Sequence, residues 1–192
     1  MKKIGLIIAA LCIHLCVFAQ NEYSHDFMRF YVPNSDGSPF PISVVGAVTI
    51  LEDGKTYLKT HANDPYNAAE LSNFQKYAIL KGCNIHLKLD NDEIITLTCS
   101  LDKTDKDGFV TTQNGVYQNY TDYSYFLLDT VVIDKLKNHN IIKIRGHFKH
   151  EIMDGSMQFT PTSAVNKTKD AFMEAERKTK EKYNTSISNT KR

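Results

Sequence analysis

The chain contains no tryptophan, so the side chain with the largest stacking surface is not available to a sugar ring or a base. After residue 19 no apolar run is long enough to span a bilayer, which takes roughly 20 residues. Nothing in the chain has the spacing of a nucleophile elbow or a glycine-rich phosphate loop. No two histidines stand at the i, i+4 spacing of a zinc protease helix. These absences remove the common short-motif enzymes and the nucleotide binders. No cofactor is expected.

The first segment is different in kind. Met1-Lys2-Lys3 gives a basic start, and Ile4 to Phe18 is almost wholly apolar, interrupted by Gly5 and His14. Val17-Phe18-Ala19 then presents residues that a signal peptidase accepts, which predicts residues 1–19 as a signal peptide and Gln20 as the mature start. Cys12 and Cys16 each follow a leucine, where lipoprotein processing wants a small residue. Cleavage leaves 173 residues with 21 basic and 22 acidic side chains. That balance excludes the electrostatic footprint of nucleic-acid binding, and the length suits one domain.

Hairpin chemistry dominates residues 20–162. Asp53-Gly54 between Val44–Leu51 and Thr56–Thr60 predicts a two-residue turn of type I′. In Cys83 to Leu89 the odd positions are apolar, and Ile95, Leu97 and Cys99 resume that parity after Asp90-Asn91-Asp92. A turn centred on Asn91 sets Leu87 opposite Ile95, Ile85 opposite Leu97 and Cys83 opposite Cys99. In an oxidising compartment the two cysteines then form a disulfide or remain a reduced apolar pair; the sequence leaves both open. Asn63-Asp64-Pro65 reads as a strand breaker, and Asp102 to Gly108 as a polar turn inside the connection 101–119. Asp129-Thr130 predicts the N-cap of a short helix over Val131–Lys137. Ile142, Ile144 and Gly146 alternate with polar residues, and Asp154-Gly155 suggests another hairpin.

The expected class is therefore α+β, with mainly antiparallel hairpins forming a sandwich or half-barrel. A charged helical tail over 163–192 follows, fraying beyond 183 and resting on Val165 and Phe172 as a peripheral arm. Among the aromatic residues, Tyr125 reads as core, while Tyr117, Tyr120 and Tyr123 are the candidate binding residues for a protein or glycan surface.

The signal ending Phe18-Ala19-Gln20, with Tyr123-x-Tyr125, Ile133-x-Lys135-Leu136-Lys137 and Ile142-Lys143-Ile144-Arg145, resembles a pattern common in small exported proteins of Bacteroidetes that have no assigned function. The resemblance implies a periplasmic or secreted chain and brings no active site. Asp129-Thr130-Val131 resembles the O-glycosylation acceptor of such proteins, which marks Thr130, although helix capping accounts for the same residues. The functional expectation is a non-catalytic binding module of the envelope or secreted fraction. The alternative is a small secreted hydrolase with no short motif. Intact-mass analysis of exported protein should give a chain beginning at Gln20; a full-length or lipid-modified chain would contradict the reading.

Overall fold

The computed structural model describes residues 22–32, 42–66, 78–112, 115–148, 152–157 and 168–190. The signal segment 1–19, residues 163–167 and most of the stretch 68–80 lie outside the described residues.

Among the described residues eight antiparallel strands run in the order β1 (Tyr23–Val32), β2 (Ile42–Ile50), β3 (Thr56–Tyr66), β4 (Asn84–Leu89), β5 (Ile94–Thr112), β6 (Gly115–Leu127), β7 (Ile141–His147) and β8 (Ile152–Met157). Helix α1 (Thr130–Asn138) joins β6 to β7, and α2 (Thr168–Thr190) ends the described chain. The class is α+β and mostly β. Neighbours across the sheet are β1-β2-β3-β6-β5-β4-β7-β8, and the ladder closes into a barrel where Phe30 and Tyr31 of β1 meet Met157 and Ser156 of β8.

Two hairpin turns share one geometry. Gly54 N–H donates to Leu51 O, and Asp92 N–H to Leu89 O, so each turn is followed by one residue at positive φ, Gly54 at 74° and Asp92 at 67°. These are three-residue loops with a bulge, not the two-residue I′ turn expected at Asp53-Gly54, because Asp53 itself keeps an ordinary φ. Asp is one of the few side chains that tolerates this left-handed region. The second turn sets the register read from parity: Ile85 pairs with Leu97 and Leu87 with Ile95. Cys99 N–H donates to Cys83 O at 2.8 Å, and both cysteines are free thiols.

Strands run further than local polarity suggested. β3 continues through Asn63-Asp64-Pro65, where its only strand partner among the described residues is β6; proline is tolerated on such a one-sided strand because its missing N–H costs no ladder bond. The polar stretch Asp102–Gly108 is strand and not turn, since it lies within β5 and pairs along β6. Asp154-Gly155 sits inside β8, opposite Arg145 and Ile144, so the reversal from β7 falls earlier. A shift in the β4–β7 register at Lys88/Leu89 puts Ile141 inside and leaves Ile142 exposed, which breaks the parity expected for β7.

The inward face carries Phe30, Val48, Leu58, Ile85, Leu87, Phe126 and Ile144, all buried in one core. Helix α1 is capped by Asp129, whose carboxylate accepts from Val132 N–H at 2.8 Å, and it sends Leu136 into that core.

Helix α2 overturns the peripheral reading of the tail. Phe172 and Ala175 belong to the main core, and Phe172 meets Phe27 edge-on at 5.4 Å. The Thr179 hydroxyl donates to Val48 O, and Thr168 Oγ1 accepts from Ile141 N–H at 2.6 Å. Residues 184–190 are helical, with Tyr23 donating to Ser186 and packing on Tyr183. The charges that made the stripe look sparse are accounted for locally: the buried Glu176 carboxylate bonds Lys137 of α1 and Lys180 at 2.8 and 2.7 Å. Phe172→Ala should therefore cost about 3–5 kcal/mol in chemical denaturation, and a chain ended at Thr162 should not unfold cooperatively. A loss below about 1 kcal/mol would make the helix peripheral after all.

Candidate functional site

In a strand, successive side chains alternate between faces, so Tyr57, Lys59 and His61 of β3 point away from the core that holds Leu58 and Ala62. Across the β3–β6 ladder they stand opposite Leu127, Tyr125 and Tyr123, and across β6–β5 the last two face Leu101 and Lys103. The β5–β6 hairpin and the sequence-distant β3 thus build one outer patch.

This outer face has a small core of its own. Leu51, Tyr57 and Tyr125 are buried together with Tyr123 packed against them, and the Tyr57 and Tyr125 rings meet edge-on at 6.5 Å. Lys59 lies beside them and is only 8 % exposed. Its ammonium pairs with Glu22, the residue before β1, and the same carboxylate accepts from the Tyr125 hydroxyl at 2.7 Å. To make these bonds Glu22 reaches across β2, whose Ala47 and Thr49 are small and fully buried. Burial, together with the hydrogen bond to Glu22 and its negative charge, pushes the Tyr125 hydroxyl far up, so it stays a donor.

Tyr123 closes the patch. Its ring has Lys59 Nζ at 5.1 Å and Lys103 Nζ at 4.9 Å, both within cation–π range, and the His61 ring at 6.0 Å. Lys103 also pairs with Asp105 at 3.0 Å. Burial lowers the pKa of His61, with Lys59 and Arg29 opposing its charge and Asp26 and Glu22 favouring it. Among the described residues its buried Nδ1 has no hydrogen-bond partner. Exposed Leu127 (46 %) and Leu101 (37 %) border the aromatic row.

The three candidate tyrosines separate. Tyr123 sits in the patch. Tyr120 is 9 % exposed and so is a buried residue, contrary to the expectation of an exposed ring. Tyr117 is placed on β6 opposite Val110, and its side chain lies outside the described residues. Tyr125 is core, as expected. Thr130 is exposed in the first turn of α1, next to the capping Asp129. Cys99 is buried, its thiol bonded to Leu101 O and pushed up to about 11 by burial, which makes it a poor nucleophile.

Glu22, Lys59, His61 and Lys103 were not singled out by sequence reading. The alternation Tyr57-x-Lys59-x-His61 was visible, but its partner strand is β6, and nothing local announces that pairing.

Among the described residues no three of His, Cys, Asp and Glu gather to hold a metal ion. No helix among them is long and apolar enough to cross a membrane. A shallow open groove between Tyr23 and the last turns of α2 is lined by Glu181, Lys182, Thr185, Ser186 and Asn189, a contour of the helix–strand contact. Compared with protein-family models, curated proteins and solved structures, the chain matches none.

His61 gives the patch a pH signature. Its folded pKa lies below the ordinary 6.5, so the neutral ring is the favoured folded form. The stability this confers is complete above that value and is lost as pH falls through the lower folded pKa. Denaturant midpoints of the wild type and His61→Asn should run parallel above pH 6.5 and converge on acidification. A gap that widens in acid would contradict the assignment.

Proposed function

We propose that this chain is exported to the periplasm or the medium and acts there as a non-catalytic binding module, with the outer face of β3, β6 and β5 turned toward its ligand. The observation that carries the reading is the continuity of exposed Leu101 and Leu127 with the row Tyr57, Tyr125 and Tyr123. An apolar and aromatic strip rimmed by polar groups is the usual make-up of an interaction surface. Lys103 and His61 supply the polar rim here, and the buried Lys59, Tyr57 and Tyr125 beneath hold the Tyr123 ring in place. Rigid aromatics contribute contact area without the entropy of ordering long side chains on binding. The exposed position of Thr130 at the start of α1 suits an exported chain that is modified there.

The test is a panel of neutral and uronate-containing oligosaccharides together with an immobilised peptide library, measured against the mature chain. At least one class should bind saturably, Tyr123→Ala with Leu101→Ser should weaken that binding at least tenfold, and the bound material should be recovered intact. No saturable binding, binding indifferent to these substitutions, or recovery of cleaved product would each contradict the reading.

A further inference from the structure

Strand β5 is long and one-sided. Residues 94–98 pair with β4 on one edge, and Cys99 still reaches Cys83. Beyond that, among the described residues, Leu101 to Thr112 pair with β6 alone. Among the described residues the chain leading into β4 makes one hydrogen bond there, from Lys81 N–H to the Asp102 carboxylate at 3.0 Å. A bare strand edge is a template for another strand.

Proteins guard such edges with charge, and a run of one sign would repel any copy. The run here alternates instead: Asp102, Lys103, Thr104, Asp105, Lys106. We infer that β5 pairs antiparallel with β5 of a second copy of this chain, about a two-fold axis at Thr104. In that register Asp102 stands opposite Lys106 of the copy, Lys103 opposite its Asp105, and Thr104 opposite its own equivalent. The two-fold repeats each charged pair. Opposite charges and Thr–Thr pairs are favourable cross-strand neighbours, and like charges are not.

Neighbouring registers fail on the same criterion. A slip of one residue sets Asp102 against Asp107 and Lys103 against Lys106, or, in the other direction, Asp102 against Asp105. A slip of two sets Asp105 against itself, or Lys103 against itself. The charge pattern therefore selects one register and rejects its neighbours. Register shifts at Cys99/Leu101 and Lys106/Gly108 bound the regular segment, so the shared ladder is short. A short ladder means a weak, concentration-dependent dimer at the small end of specific interfaces.

The pairing is isologous, as a closed two-fold contact must be. Directly opposite residues of an antiparallel pair point to the same side of the sheet, so Lys103 and Asp105 of both copies lie on the outer side. Two Tyr123 patches then flank one seam on one surface, an arrangement that favours a repetitive partner through effective concentration. The inference stands on the strand pairing alone and does not need the binding reading.

Crosslinking tests the axis. Thr104→Cys should form an intermolecular disulfide under mild copper–phenanthroline oxidation, because opposite residues lie about 4.5–5.5 Å apart at Cα. Lys103→Cys, Asp105→Cys and the wild type should crosslink several-fold less. Sedimentation equilibrium from micromolar to millimolar protein should show reversible dimer, weakened at least tenfold by Lys103→Glu with Lys106→Glu. Dimerisation should return in the fourfold swap Asp102→Lys, Lys103→Asp, Asp105→Lys, Lys106→Asp, which keeps every opposite pair with signs exchanged. A monomer throughout that range, crosslinking equal at 103, 104 and 105, or association unaffected by the charge reversals would overturn the inference.

Discussion

A lysine ammonium taken out of water needs a partner, and the outer half of this structure is arranged around meeting that need for Lys59. Glu22 supplies the charge by crossing β2, and Tyr125 supplies the second hydrogen bond to the same carboxylate. The crossing fixes where the chain enters β1. It also requires small side chains beneath it, which Ala47 and Thr49 provide. With Lys59 held, the Tyr123 ring gains a cation, and His61 is set beside it. Buried ion pairs seldom add net stability over an apolar substitute, but they penalise every arrangement that leaves one charge alone. In this fold the pair specifies where the chain must lie as it enters β1.

The inner half follows a simpler rule. Period-two alternation sends Phe30, Val48, Leu58, Leu87 and Phe126 to a common core, and local register shifts keep that parity where strands bend. Among the described residues the ladder closes between β1 and β8 through two residue pairs. Helix α2 adds what that seam lacks: Phe172 and Ala175 enter the core beside β1 and β2, and Thr168 bonds the start of β7. Burial of Phe172 from the end of the chain against Phe27 near its start ties distant segments together.

How much of this was legible in the sequence depends on whether the deciding partner was local. The β4–β5 register was fixed by parity across a three-residue turn, and the α1 cap by Asp129 beside an apolar run; both are short-range facts. The polar segment Asp102–Gly108 looked like a turn because its run of charges hid a strand whose one ladder partner among the described residues is β6. Asn63-Asp64-Pro65 looked like a breaker because proline ends a central strand, and only the ladder shows that β3 pairs there, among the described residues, with β6 alone. Tyr120 and Tyr125 have the same side chain in similar sequence surroundings, and their burial is set by strands and segments that the local pattern does not name. The site was least legible of all. Glu22, Lys59 and Tyr125 come from three regions whose meeting depends on β3 pairing with β6 and on a carboxylate crossing β2.

The account is tested most directly by a double-mutant cycle between Glu22→Gln and Lys59→Met, measured by urea denaturation of residues 20–192. The buried pair predicts a coupling energy well above the ceiling of about 1 kcal/mol typical of exposed ion pairs, with each single substitution more damaging than the double. Single losses that simply add, leaving a coupling near zero, would show that the two side chains do not depend on each other and that the outer face is held together in some other way.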